Sequence, residues 1–151
     1  MPHILLPIAV AILGLFSLIA TPVISAGTED GGSEEVSNYD EAKALVETGD
    51  FVAALPVLLG LTKSDPKNAD AWNLLGFTYR NLGEMAESSA AYLKVLTINP
   101  DHLGALEYQG ELFLETGRPD LARANFERLK QLCGSCDEAD DLEKALLAAG
   151  V

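Results

Sequence analysis

Basic residues are scarce in this chain of 151 residues. It contains 10 Lys and Arg against 23 Asp and Glu, which gives a formal net charge of −13 at pH 7. A surface this acidic repels the phosphates of nucleic acids and of anionic lipids, so we expect no nucleic-acid partner. Two explanations of the charge stay open: acidic side chains keep a secreted protein soluble, or they attract a basic partner.

Histidine and cysteine, which commonly take part in catalysis or bind metals, are also few. The chain has two histidines, and only His102 follows residue 26, where we expect a turn at the surface. No serine or cysteine has a recognisable base, no glycine-rich phosphate loop follows a strand, and no His/Asp/Glu spacing matches a set of metal ligands. The sequence therefore predicts a protein that is not an enzyme and that holds no cofactor or metal.

Charged side chains are absent from residues 1–26. The segment from Ile4 to Ala20 is almost entirely apolar, Pro22 breaks it, and Ala26 is a small residue suited to signal-peptidase cleavage. The pattern predicts a cleaved signal peptide over residues 1–26. Because no Lys or Arg precedes the apolar segment, and because about 20 apolar residues also span a bilayer, a retained membrane anchor is the alternative. In either case, the residues after 26 are expected outside the cytoplasm, beginning with a flexible acidic linker over residues 27–36.

A period of 34 residues organises the rest of the chain. Residues 35–68, 69–102 and 103–136 align without gaps, and five columns of the alignment hold residues of one kind. These columns are a glycine (Gly49, Gly83, Gly117), a proline (Pro66, Pro100), a small residue (Ala54, Ser88, Ala122) and two large apolar residues (Leu58, Tyr92, Phe126 and Leu45, Tyr79, Phe113). So many coincidences at one period indicate a repeat protein.

Each unit has the apolar spacing of two amphipathic helices. In the second unit, Trp72, Leu75 and Tyr79 line one face of a first helix. Gly83 is predicted to end that helix in the left-handed conformation of a C-cap. A second helix then runs up to Pro100, because a residue that precedes proline is pushed out of the helical region.

The second unit, AWNLLGFTYRNLGEMAESSAAYLKVLTINP, resembles a tetratricopeptide repeat (TPR). It carries the signature residues of that family at Trp72, Leu75, Gly76, Tyr79, Gly83, Tyr92, Val95 and Pro100. The third unit departs from the family pattern at Leu106, Gln109 and Gly134, and the first unit is least regular in its first helix. The resemblance implies an all-α fold, a right-handed α-solenoid of three TPR helix pairs over residues 37–136.

A last helix is predicted within residues 137–151, after the third pair. Its apolar residues Leu142, Ala145 and Leu146 would pack on the third pair, and its polar face would meet the solvent. Capping helices of this kind cover the apolar end of a repeat stack. The polar face comprises Asp140, Asp141, Glu143 and Lys144.

TPR proteins bind partners through a concave surface that the first helix of each pair lines. The resemblance places Tyr39, Lys43 and Glu47 of the first unit, Asn73, Phe77, Arg80 and Asn81 of the second, and Glu107, Glu111, Leu114 and Glu115 of the third on this surface. Asparagines suit the backbone of an extended peptide, Phe77 suits an apolar side chain, and the three glutamates of the third unit suit Lys or Arg. The alternative for each residue is a solvated helix face without a partner.

Both cysteines lie in Cys133-Gly-Ser-Cys136, between the third pair and the capping helix. Two cysteines in an exported chain most simply form one disulfide, which here would fix the angle of the cap. So short a loop is expected to stabilise the fold by about 1–2 kcal/mol. Thiol redox exchange and binding of a soft metal such as Cu(I) stay open as alternatives. The acidic residues after Cys136 disfavour a low thiol pKa, and two thiols do not complete a zinc site.

These features together predict a small exported TPR adaptor or chaperone-like factor that holds a protein or extended peptide. The resemblance and the signal-like N-terminus favour the bacterial periplasm, with anchoring in the inner membrane as the alternative. A CxxC motif that attaches haem needs a following histidine, and Asp137 stands there instead. The alternative function is a thiol-redox or copper-handling protein that uses the cysteine pair on a TPR scaffold. End-to-end self-association of the repeats is a further hypothesis.

Overall fold

The computed structural model describes the backbone of residues 31–151 and the side chains of residues 38–151. These residues form seven α-helices and no strand, which confirms the predicted all-α class. The helices are α1 Gly31–Glu47, α2 Phe51–Ser64, α3 Ala69–Asn81, α4 Met85–Ile98, α5 Leu103–Glu115, α6 Pro119–Cys133 and α7 Asp137–Ala148. Within this part of the chain, no helix is long and apolar enough to cross a membrane. The predicted signal peptide lies outside the described residues.

The helices stack as pairs. Helix α1 packs on α2, α3 on α4 and α5 on α6, and the second helix of each pair also contacts the first helix of the next. The first helices contact one another as well, α1 with α3, α3 with α5 and α5 with α7. This arrangement is the helix-pair stack of an α-solenoid, and its first helices form one continuous wall.

The helix boundaries repeat with the period of the sequence. Helices α3, α5 and α7 begin at Ala69, Leu103 and Asp137, and each start lies 34 residues after the one before. Gly83 ends α3 with φ +83°, as predicted for a left-handed C-cap. Helix α7 therefore occupies the place of a first helix in a further unit.

The acidic linker predicted over residues 27–36 is too long. Helix α1 begins at Gly31, so the last six linker positions are helical, and residues 27–30 lie outside the described part of the chain. The prediction rested on polar and glycine-rich composition. Glutamate is nevertheless a good helix former, and two glutamates occupy positions 34 and 35 of this segment.

A close approach between helices holds the second pair together. A Cβ atom added to Gly76 would lie 2.7 Å from the ring of Tyr92, which is fully buried in α4. The hydroxyl of Ser88 also donates a hydrogen bond of 2.8 Å to the carbonyl oxygen of Gly76. The small residues of this unit therefore permit contact between helix backbone and side chain that larger residues would block.

The capping helix packs as predicted. Leu142 and Leu146 are buried among residues of α5 and α6, with Ala145 beside them. A Cβ atom added to Gly110 of α5 would lie 2.6 Å from a methyl carbon of Leu142. All four residues predicted for the polar face of this helix are exposed. Helix α7 thus belongs to the core of the C-terminal half.

Candidate functional site

An open cleft of about 310 Å³ lies between three first helices, α3, α5 and α7. We call it the groove. Helix α7 lines one side of the groove with two small residues, Ala145 and Ala148. Helices α3 and α5 line the other side, mostly with charged side chains. The lining residues are Arg80, Glu111, Leu114, Glu115, Ala145 and Ala148.

Arg80 joins the second unit to the third. Its guanidinium forms a short ion pair with Glu111, and its Nε lies 3.9 Å from a carboxylate oxygen of Glu115. It also donates a hydrogen bond of 3.3 Å to the carbonyl oxygen of Tyr108. The side chain is only 12 % exposed. Two of the three glutamates predicted to bind a partner's Lys or Arg therefore pair with a cation of their own chain.

Aromatic rings connect three helix pairs beside the groove. Phe77 of α3 lies 4.9 Å from Tyr108 of α5 and 5.9 Å from Phe51 of α2, measured between ring centroids. The guanidinium of Arg80 lies over both Phe77 and Tyr108, at 5.5 and 5.8 Å from their centroids. Phe77, predicted to pack on a partner, thus already packs within the chain and keeps part of its surface accessible.

Asn73 and Glu107 occupy the same repeat position and are both buried, 9 % and 8 % exposed. Among the described residues, the Oδ1 atom of Asn73 has no hydrogen-bond partner. Burial is the main factor that raises the pKa of Glu107 to about 8, and the charges of Glu111, Asp141 and Glu138 raise it further, while Arg80 lowers it. Both side chains therefore lie between helices and not on the open wall where the sequence placed them.

The remaining predicted residues lie away from the cleft. Lys43 and Glu47 form an exposed pair on α1, with Nζ and Oε1 3.8 Å apart. Tyr39 is half-buried on the same helix, and burial raises its pKa, with further contributions from Asp70 and Asp40. Asn81 is exposed, and its amide donates a hydrogen bond of 2.9 Å to the carbonyl oxygen of Phe77. Of the predicted concave residues, those that line the cleft are Arg80, Glu111, Leu114 and Glu115.

The contribution of α7 to the groove was missed by sequence reasoning, which gave this helix only a capping role. Ala145 and Ala148 line the cleft, and Glu138 and Asp141 act electrostatically on Glu107. The repeat period was the signal that could have found them. Asp141 follows Glu107 by the same 34 residues that separate Glu107 from Asn73.

His102 is not the simple surface residue that the sequence predicted. Its Nδ1 accepts a hydrogen bond of 3.1 Å from the backbone N–H of Ala105 and so caps the N-terminus of α5. Its Nε2 lies 3.0 Å from a carboxylate oxygen of Asp70 on α3. His102 therefore links the second and third units, and it lies outside the groove lining.

The two cysteines meet where α6 passes into α7. Cys133 is the last residue of α6, Cys136 is the N-cap of α7, and their sulfur atoms lie 2.08 Å apart, at disulfide distance. Both pack against the apolar cluster of the third pair and the cap. Within the described residues, no group of three His, Cys, Asp or Glu side chains is suited to hold a metal ion.

A second groove of about 390 Å³ lies between α2 and α4, over α3. It is lined mostly by apolar side chains, among them Leu59, Trp72 and Tyr79, with Lys94 at its edge. Leu59 is nearly half exposed. This surface is a second accessible groove, and it shares no lining residue with the first.

Comparison with known proteins identifies the family. A family model described as "Tetratricopeptide repeat" matches residues 39–102 and 78–135, which is well over half of the chain. The chain belongs to the tetratricopeptide repeat family. The two matched stretches contain α3, the aromatic contact between Phe77 and Tyr108, and the Arg80 ion pairs of the groove. The family predicted from the second unit is thereby confirmed.

Individual relatives of this TPR protein are distant. The "Tetratricopeptide repeat protein 21 homolog" of Caenorhabditis elegans is 28 % identical over 95 residues, which is 63 % of this chain and 7 % of that protein. This chain thus spans a small fraction of that relative's length.

Solved structures with the same fold include the first TPR domain of Spaghetti (RPAP3) bound to the HSP90 peptide SRMEEVD. The TM-score between the two structures is 0.69 at 17 % sequence identity, and the alignment covers 79 % of this chain and 95 % of the RPAP3 domain. The type III secretion translocator chaperone SycD of Yersinia enterocolitica has a TM-score of 0.70 at 16 % identity, with 78 % and 90 % of the two chains covered. At these identities the likeness shows the fold.

Proposed function

We propose that this TPR protein is an adaptor or chaperone-like factor that binds a partner protein or an extended peptide in the groove. The observation that carries the proposal is the open cleft along three consecutive first helices. Its lining includes the Arg80–Glu111 ion pair and the exposed carboxylate of Glu115, and the half-buried ring of Phe77 lies beside it, under the guanidinium of Arg80. Mixed aromatic and charged surfaces of this kind provide both contact area and hydrogen-bonding groups for a polypeptide.

Two structural relatives support a polypeptide as the ligand. The RPAP3 domain was solved with a peptide bound, and SycD is a chaperone by its description. The groove itself carries no arrangement of nucleophile, base and oxyanion donors that would support a reaction. We therefore propose binding without catalysis.

Photo-crosslinking from two surface positions tests the site. A photoreactive amino acid replaces Glu115 at the groove in one variant and Lys94 at the apolar groove in the matched control; both positions are exposed. Each variant is expressed in the native cell and irradiated, and crosslinked proteins are identified by mass spectrometry. We expect one or a few defined partners from position 115 and none of them from position 94. The same partners crosslinked only from position 94 would contradict the proposal.

We further propose that the protein is exported to the bacterial periplasm and that Cys133 and Cys136 form a structural disulfide there. The position of the pair between α6 and α7, packed against the apolar cluster of the third pair and the cap, supports a role in fixing the cap. An intact mass of the protein from the envelope fraction, with and without thiol alkylation, tests both points. A mass that begins at Gly27 and does not change on alkylation is expected.

Two other results of this mass measurement would favour the alternatives. A full-length mass would favour the retained inner-membrane anchor. Two alkylated thiols, or a bound copper ion, would contradict the structural disulfide and favour the thiol-redox or copper-handling alternative.

A further inference from the structure

We propose that the protein forms a two-fold dimer in which the outer face of α2 packs antiparallel on the same face of a second copy. The contact surface consists of an exposed stripe of α2 and of the apolar groove between α2 and α4. Helix α2 contributes no residue to the lining of the groove between α3, α5 and α7, so both partner sites of a dimer stay open. Dimerisation and partner binding can therefore be tested separately.

The outer face of α2 carries apolar side chains into the solvent. Residues 51–62 contain no Asp, Glu, Lys or Arg, although the chain has a net charge of −13. Val52 and Leu59 are 73 % and 45 % exposed, and Pro56 is exposed between them. Their spacing of four and three residues puts them on one face, as in helices that pack along another helix. An exposed apolar patch of this kind marks an interaction surface.

The apolar groove beside this stripe depends on residues that the third unit lacks. Leu59 of α2 and Ala91 of α4 line it, together with Leu75 of α3. One repeat further on, Gln109 and Asn125 take the places of Leu75 and Ala91, and the amide of Asn125 donates a hydrogen bond of 3.1 Å to Gln109. The apolar groove is therefore a property of the second unit and not of every repeat.

This surface matches a second copy of the chain because its two ends complement each other. In an antiparallel pair centred between Pro56 and Leu59, Val52 of each copy lies opposite Lys63 of the other. Lys63 is exposed and forms no ion pair within residues 38–151. It would meet the start of the other copy's α2, where Asp50 is exposed. The dipoles of the two helices also oppose each other in this arrangement.

The distribution of charge favours contact through this face. Two copies that each carry a net charge of −13 repel one another, and the repulsion is weakest where the facing surfaces hold no net charge. The charged residues that line the apolar groove are Glu87 and Lys94, whose charges cancel. The copies can therefore approach through α2 without bringing acidic surfaces together.

Pro56 leaves a backbone acceptor on the same helix. Proline has no N–H, so the carbonyl oxygen of Val52 lacks the donor that residue 56 would provide in an ordinary helix. Burying a carbonyl without a donor is costly. In the antiparallel pair, Lys63 of the second copy lies opposite Val52, and its ammonium group can donate to this carbonyl. The stripe thus holds both the acceptor and the donor that would satisfy it.

Light scattering of the purified protein at increasing concentration tests the dimer. A contact built on one helix about 20 Å long is small, so we expect a micromolar Kd and a mass that rises from one chain to two between about 1 and about 500 µM. Leu59→Glu should raise this Kd at least about tenfold, because it places a carboxylate of each copy in an apolar contact.

The matched control is Leu121→Glu on α6. Its side chain is 44 % exposed, close to the value for Leu59, and it lies outside the proposed surface while adding the same charge. The Kd of this control should stay within about twofold of wild type. Circular dichroism checks the fold of each variant, and Val52→Glu, at the most exposed position of the stripe, gives an independent second variant.

Photo-crosslinking of the pure protein tests the orientation. A photoreactive amino acid in place of Val52 should give a covalent dimer in which the crosslink reaches residues around Lys63 of the second copy. Crosslinks to residues around position 52 would overturn the antiparallel arrangement.

Two results would overturn the dimer itself. One is a monomer at every concentration, and the other is a dimer that Leu59→Glu weakens no more than Leu121→Glu does. A monomer that crosslinks in the cell from position 52 to another protein would replace the second copy by that protein. Crosslinking from position 115 decides the proposed function in each case.

Discussion

The second and third units place a glycine at the same repeat position but fill the space beside it from different helices. Gly76 faces Tyr92, which belongs to the second helix of its own unit. Gly110 faces Leu142, which belongs to α7. The second unit is therefore closed by its own residues, whereas the third is completed by the helix that follows it.

This difference explains why the capping helix matters for the groove. Because Leu142 fits against Gly110, α7 continues the row of first helices, and its residues Ala145 and Ala148 line the cleft. This side of the groove is thus a product of packing between α5 and α7, and perturbing that packing should affect stability and binding together.

The largest effect is expected from Leu142→Ala. This side chain is fully buried, and its loss should lower the free energy of unfolding by about 2–5 kcal/mol through lost burial and a residual cavity. Chemical denaturation checks the value. The control is Leu147→Ala on the same helix, where the side chain is 72 % exposed and the change should stay within about 0.5 kcal/mol. Equal effects would contradict the buried role of Leu142.

The two glycines can be compared directly by replacing each with alanine. In Gly76→Ala, the new methyl group meets the ring of buried Tyr92, which cannot bend away, so we expect a loss of about 1–3 kcal/mol. In Gly110→Ala, the methyl groups of Leu142 can shift, and the better helix propensity of alanine offsets part of the strain. Urea denaturation of both variants measures the difference. A larger loss for Gly110→Ala would reverse the comparison.

Glu107→Gln makes the third unit neutral at this position, as the second unit is. Because the pKa of Glu107 is raised from 4.5 to about 8, the folded protein holds this proton more tightly than the unfolded chain, and stability falls as pH rises through this window. The variant should therefore be more stable than wild type above pH 8, by roughly 2 kcal/mol, with little difference at pH 4.5. Melting temperature against pH measures this. Parallel profiles for the two proteins would contradict the shifted pKa.

Cys136→Ser tests how firmly the junction holds the cap to the third unit. Loss of the proposed disulfide should lower the free energy of unfolding by about 1–2 kcal/mol, the low end of the range because the closed loop is short. Reducing agent should have the same effect on wild type and none on the variant. Thermal unfolding with and without the reductant provides the comparison. A partner protein identified by crosslinking from position 115 should still bind the Cys136→Ser variant.

The sequence was sufficient to predict the family and the helix pairs because TPR packing depends on residue types at fixed spacing. Gly83, Tyr92 and Leu142 all adopt the conformation or burial that their positions predicted. The apolar spacing also predicted two helices in the second unit, which the structure has at Ala69–Asn81 and Met85–Ile98, since a shift of one residue would turn the apolar face away from the core.

The details of the groove were harder to predict because they depend on which charges meet across units. Their positions on the first helix of the third unit gave Glu107, Glu111 and Glu115 the same predicted role, which is to bind a Lys or Arg of the partner. The structure separates them, since Arg80 reaches two of the three and leaves the third buried without a cation. Tyr108 was missed for the same reason, as its role arises from the contact of its ring with Phe77 of α3.

The most direct test of the account is hydrogen–deuterium exchange of α5 and α7 in the intact, oxidised protein. The central claim is that α7 packs as a further first helix and forms one wall of the groove. It predicts that amides of α7 around Leu142 are protected to within about tenfold of those of α5, because both helices open only with the C-terminal half of the stack. Exchange of the whole of α7 at the rate of a free helix, while α5 stays protected, would contradict it.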